Sequence, residues 1–131
     1  MTKLTNFDCQ DYIIEYERLR CDDVIFHKGT FDKSIGHLIP VVLGRGTDCI
    51  CVGHGILEEC EYGIVATCKF NDTEVGHICK ELFLNTDMLK LSCAVYRIRK
   101  DGKTIIDGYI PAVYVITKDM ALTYERKSTD E

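Results

Sequence analysis

The sequence predicts a mainly β domain with one or two helices, built as a partly closed antiparallel β-barrel or sandwich. Three observations carry this. Short runs rich in Val, Ile, Tyr and Phe, several with a two-residue period, recur between Gly, Asp and Asn turn signals. The stretch Val75 to Phe83 alone repeats its apolar residues with a clear helical period. A chain of 131 residues, 46% hydrophobic and 28% charged, suits one globular domain that can bury a real core without staples.

The elements follow in chain order. Residues 1–10, MTKLTNFDCQ, are polar and read as a flexible or partner-ordered arm. In DYIIEYERLR, residues 11–20, Tyr12, Ile14 and Tyr16 alternate as in a strand, while Ile13, Tyr16 and Arg20 also suit a short helix. The β-branched and aromatic content favours strand. Asp22-Asp23 reads as a turn and VIFHKGTF as a second strand, with His27 a packed or surface residue. IGHLIPVVL, residues 35–43, is the next strand. Pro40 removes a ladder donor, so this strand is expected at a sheet edge or broken there.

GRGTD, residues 44–48, lacks the spacing and the Lys-Ser/Thr of a phosphate-binding loop and reads as a turn. CICVGHGILEEC, residues 49–60, is expected as two short strands pivoting at Gly53-His54-Gly55. Glu58, Glu59 and Glu61 are carboxylates close enough to suggest a metal site, but a solvated hairpin end accounts for them. After the Tyr62-Gly63 turn, Ile64, Ala66, Cys68 and Phe70 alternate with Val65, Thr67 and Lys69, the pattern of a half-buried strand.

Asn71 is placed to cap a helix, with Glu74 as its capping-box partner, and Val75, Ile78, Cys79, Leu82 and Phe83 form the core-facing stripe. Asn85-Thr86-Asp87 ends it. LKLSCAVYRIRK, residues 89–100, reads as one long strand and Asp101-Gly102 as a hairpin turn. TIIDGYIPAVYVIT, residues 104–117, reads as the long return strand, with Gly108 and Pro111 marking a bulge or an edge. Residues 119–131 turn polar and read as a second arm. The count is roughly seven or eight strands in a single domain, residues 1–131.

Composition narrows the function. A net charge of −5, with no Lys/Arg run interleaved with aromatics, argues against nucleic acid as a partner. Arg97, Arg99 and Lys100 read as a solvated strand end. No apolar run reaches about 18 residues, and the first residues lack the apolar core of a signal peptide, so neither a membrane span nor export is expected. The eight cysteines are Cys9, Cys21, Cys49, Cys51, Cys60, Cys68, Cys79 and Cys93. Most sit in apolar runs and are expected to be reduced core thiols. Cys49, Cys51 and Cys60 with His54 are weak zinc candidates: Cys-x-Cys is a poorer signal than paired Cys-x-x-Cys knuckles, and no second knuckle completes the set. No metal or other cofactor is expected.

One resemblance covers about two-thirds of the chain, from Ile39 onward. IPVVLGRG, VGHGILEE with the Tyr-Gly turn, CKFNDTEVG with KELF, LKLSCAVY and DGYIPAVYVI follow one another in an order that resembles the prohead (head maturation) proteases of tailed bacteriophages. These look like herpesvirus-type serine proteases. Phe70-Asn71-Asp72-Thr73 together with Leu91-Ser92 is the most telling pair. The resemblance implies a barrel of the prohead-protease type, with Ser92 at the nucleophile position. It places the family's histidine after the Ile-Pro strand, where this chain has Gly44-Arg45-Gly46, and the acid in the closing strand, where it has Ala112. Two of the three catalytic positions are therefore empty.

A serine hydroxyl is a poor nucleophile without a base to take its proton. His54, His37 and His77 are candidate substitute bases, His54 foremost. The resemblance then implies a phage head protein that has kept the fold and lost catalysis. Such a protein would be a minor, decoration or head-assembly component of the virion, assembled in the bacterial cytoplasm. It would dock on the major capsid protein or other head proteins and self-associate. The alternatives are an active serine-type prohead protease using Ser92, and a small cytosolic β-barrel binding a ligand or metal through Cys49, Cys51 and His54.

Overall fold

A computed structural model of the chain describes residues 6–18, 24–44 and 49–119. Along them run β1 (Cys9–Glu15), β2 (Ile25–Phe26), β3 (Leu38–Leu43), β4 (Ile50–Cys60), β5 (Gly63–Phe70), α1 (Glu74–Asn85), β6 (Leu89–Cys93), β7 (Tyr96–Asp101), β8 (Thr104–Tyr109) and β9 (Val113–Thr117). The chain is thus mainly β with one helix among the described residues.

Six strands form one sheet in the order β1-β5-β4-β3-β9-β6, antiparallel throughout except for the parallel pair β3/β9. Its two outer strands, β1 and β6, pack against each other, with Cys93 Sγ 3.8 Å from the Ile13 carbonyl. The sheet is therefore a nearly closed barrel. β2, β8 and β7 make a three-stranded sheet in that order. One core serves both: Val41, Leu57, Ala66, Cys68 and Val113 from the barrel continue into Val24, Phe26, Phe31, Ile105 and Ile110. Phe26 and Phe31 meet edge to face, centroids 4.9 Å apart.

Several sequence expectations are corrected. β4 runs unbroken for 11 residues, without a pivot at Gly53-His54-Gly55. Gly53 serves close approach instead: a Cβ there would lie 2.2 Å from the Lys69 carbonyl oxygen. β3 lies inside the sheet, not at its edge. Pro40 opposes His54 of β4, but pairing with β9 starts only at Val41, so the missing N–H faces no acceptor strand. β5 is buried on both faces, because Tyr12 and Gln10 of β1 flank its outer residues Val65 and Thr67; Gln10 Nε2 donates to Thr67 Oγ1 at 2.8 Å.

The two long strands expected over 89–100 and 104–117 each divide. β6 and β9 belong to the barrel; β7 and β8 belong to the small sheet. Both runs turn the corner together, at Ala94-Val95 and Ile110–Ala112, tied by Ala94 N–H donating to the Ala112 carbonyl at 3.2 Å. The expected second strand shrinks to Ile25–Phe26. Beyond it come turns pinned to β8 by two buried hydroxyls: Thr30 Oγ1 donates to the Ile105 carbonyl at 3.0 Å, and Ser34 Oγ accepts from Ile110 N–H at 2.9 Å. The Asp101-Gly102 hairpin forms as expected, with Gly102 at φ 61°.

The helix caps on Thr73, not Asn71. Thr73 Oγ1 accepts from Gly76 N–H at 3.1 Å, and Glu74 is the first helical residue. Val75, Cys79, Leu82 and Phe83 pack on the core, but Ile78 is 52% exposed because the helix is rotated so that Gly76 takes a buried place. Asp8 fixes this end of the barrel: one carboxylate oxygen accepts from Phe70 N–H at 2.9 Å and the other lies 3.3 Å from Lys80 Nζ. Of the two expected arms, residues 1–5 and 120–131 lie outside the described residues, as do the Asp22-Asp23 turn and residues 45–48 of GRGTD.

Candidate functional site

Of the positions implied by the protease resemblance, Ser92 lies on β6, Ala112 just before β9 and Gly44 just after β3, while Arg45 and Gly46 lie outside the described residues. On β6, Leu89, Leu91 and Cys93 are buried in the core, so the half-buried Ser92 between them faces outward. Ser92 pairs with Tyr114 of β9, which pairs with Val42 of β3. Ala112 sits beside Ala94, diagonal to Ser92, at roughly the 7–8 Å usual for diagonal sheet positions. Gly44 follows the end of β3, two strands across and two residues along, roughly 12 Å from Ser92 by strand spacing and rise. Ser92 and Ala112 are neighbours, with a methyl group where the family's acid would be needed.

The histidines lie elsewhere. His54 is on β4, three strands from β6, which puts it about 14 Å or more from Ser92. His77, on the exposed side of α1, is held by Asp72, Nε2 to Oδ1 2.6 Å. His27 is bonded through Nδ1 to Glu17, and His37 is exposed in the turn before β3. Among the described residues, no histidine or carboxylate hydrogen-bonds to Ser92.

The zinc candidates are likewise dispersed. Cys49 and Cys51 are exposed at the start of β4, and Cys51 Sγ donates to the Gly53 carbonyl at 3.4 Å. Cys60 ends the same strand, about 30 Å from Cys51 at ordinary strand rise. Among the described residues, no group of three or more His, Cys, Asp or Glu side chains is placed to hold a metal. The glutamates diverge too. Glu59 shares the inward parity of Leu57, whereas Glu58 pairs with outward-facing Val65.

Glu59 was not singled out by the sequence from its two neighbours. Its Oε1 is buried without a hydrogen-bond partner, and the carboxylate lies by Tyr16. Burial, reinforced by the negative charge of Glu59, pushes the Tyr16 phenol well above its usual range. The signal was available in the alternation Gly55, Leu57, Glu59 along β4. Buried thiols are equally unreactive. A hydrogen bond to Cys9, its cross-strand partner, together with burial pushes Cys68 up, and burial pushes Cys79 up, so both stay protonated.

A hollow of about 320 Å³ opens on the outer face among Gln10, Asp11, Tyr12, Glu58, Cys60 and Val65. It lies over β1, β5 and β4, and Ser92 is not among its lining residues. Comparison of the chain with protein-family models, curated proteins and solved structures gives no match.

Proposed function

We propose that this chain is a capsid-associated structural protein of a tailed bacteriophage, a minor, decoration or head-assembly component, on a prohead-protease-like barrel that no longer cleaves. The observation that carries this reading is the setting of Ser92: it faces outward on β6 beside β9, and among the described residues no histidine or carboxylate hydrogen-bonds to it. A general base must come within about 2.6–3.2 Å of the hydroxyl it deprotonates. Ala112 offers a methyl group and Gly44 a hydrogen, while Arg45 and Gly46 lie outside the described residues.

The segment that best carries the resemblance is instead accounted for by packing. Ile64, Phe70 and Leu91 are core residues, and Val75 and Leu82 seal the helix over them. The partners would be the major capsid protein or other head proteins, with further copies of the chain in a symmetric set. The virion is the place of action, after assembly in the bacterial cytoplasm. Among the described residues no helix is long and apolar enough to cross a membrane.

Two observations test the reading together. A portal gene and a major capsid gene are expected beside the gene for this chain. The purified chain should co-sediment with shells assembled from that capsid protein. A chain that stays in the supernatant with those shells, or a gene without head-protein neighbours, would overturn the proposal.

A further inference from the structure

β7 is the most exposed strand of the molecule. All six residues, Tyr96 to Asp101, are open to solvent, and the strand pairs with β8 alone. Its other edge therefore presents backbone N–H and C=O groups with no strand partner among the described residues. Such an edge is a template for another extended chain.

The side chains say which chain it suits. Tyr96 and Tyr109 lie directly opposite and stack, ring planes 3° apart and centroids 6.5 Å, while Ile98 is 57% and Ile106 40% exposed. This is an apolar ledge on a solvated ribbon. Around it, the β7–β8 ribbon, residues 96–109, carries Arg97, Arg99, Lys100 and Lys103 against Asp101 and Asp107, the cross-strand partner of Arg99, a local charge of 4 − 2 = +2 in a chain whose total is −5. The rest of the chain then sums to −7.

Basic residues on an edge strand also guard against self-pairing. A one-residue slip of an antiparallel second copy would set Arg97 against Lys100 twice, whereas register about Arg99 sets Arg99 against Arg99 and Arg97 against Asp101 twice, so self-pairing is opposed in some registers only. A wholly acidic strand meets no repulsion from these cations in any register. The overall charge of −5 disfavours nucleic acid.

We propose that the β7 edge binds an extended acidic peptide segment of another protein by strand addition. The segment's backbone completes the ladder, its apolar side chains rest on the Tyr96–Tyr109 ledge, and its carboxylates meet Arg99 and Lys100. This rests on the small sheet alone and does not depend on the capsid proposal.

The test uses the full chain and a fluorescein-labelled twelve-residue probe of alternating Glu and Val, read by fluorescence anisotropy. Three controls accompany it: the Lys-Val counterpart, a Glu-Pro counterpart that keeps the charge but lacks alternate N–H donors, and a twelve-nucleotide oligo-dT. The Glu-Val probe should bind, weaken with added salt, and slow amide exchange within residues 96–101. The Lys-Val and Glu-Pro probes and oligo-dT should bind at least tenfold more weakly. Arg99→Glu/Lys100→Glu should lose at least tenfold in affinity for Glu-Val with an unchanged thermal midpoint, and Ile98→Pro should lose the binding as well. Failure of Glu-Val to bind would overturn the proposal. So would equal binding by Glu-Pro or oligo-dT, or a dimer by light scattering that the double variant dissociates.

Discussion

β5 and β7 are extended segments of similar length with opposite surroundings. β5 buries every residue but Lys69; β7 buries none. β5 is flanked by β1 and β4, whereas among the described residues β7 pairs with β8 alone. Sheet position and composition act together: β5 carries one charged residue, Lys69, and β7 carries four, Arg97, Arg99, Lys100 and Asp101. The barrel is thereby a scaffold held by packing, and β7 of the small sheet is open to solvent.

The sharpest way to break that contrast is to delete matching apolar groups from each side. Leu57→Ala, at a position with no exposure, should destabilise the fold by about 2–5 kcal/mol in urea unfolding, against roughly 0.5 kcal/mol or less for the exposed Ile98→Ala. The junction comes next. A Cβ on Gly108 would lie 2.6 Å from the Phe31 ring, so Gly108→Ala should cost about 1–3 kcal/mol as the ring is displaced. Ser34→Ala leaves the Ile110 N–H buried and unpaired, for about 1–3 kcal/mol by the same assay.

A smaller effect is expected from pH. Tyr16, Cys68 and Cys79 hold their protons more tightly when folded than their ordinary values, 10.0 for the phenol and 9.0 for the thiols. Their stabilising contribution is complete below pH 9 and is lost as pH rises, because the unfolded chain releases these protons first. The urea midpoint should fall between pH 8 and pH 10.5, and fall less in Cys68→Ala/Cys79→Ala. Least of all should be any change in stability on alkylating Cys49 and Cys51. Both are exposed and should react with iodoacetamide in the native state, while Cys9, Cys68, Cys79 and Cys93 react only after unfolding, as peptide mapping would report.

Much of the architecture was legible in the sequence. The β class, the single clear helix and the Asp101-Gly102 hairpin follow from period and turn chemistry, which are local. What escaped was set by tertiary neighbours. Periodicity continues through a corner, so nothing in residues 89–100 marks Ala94-Val95 as the point where the chain changes sheet. Gly53 looked like a hinge because its role depends on the approach of Lys69, 16 positions away in sequence. Pro40 looked like an edge residue because the stagger of β9, which spares it, is not written locally. The site was legible only as a set of positions: Ser92, Ala112 and the glycine after the Ile-Pro strand. That Ser92 and Ala112 are neighbours needed the pairing of β6 with β9.

The central claim is that Ser92 is a framework residue without a base. The direct measurement is intact-protein mass spectrometry after incubation of the folded chain with a fluorophosphonate probe across pH 6–9. The account predicts no adduct at Ser92 at any pH, and identical spectra for Ser92→Ala. A stoichiometric adduct on Ser92 that is lost in Ser92→Ala would contradict it.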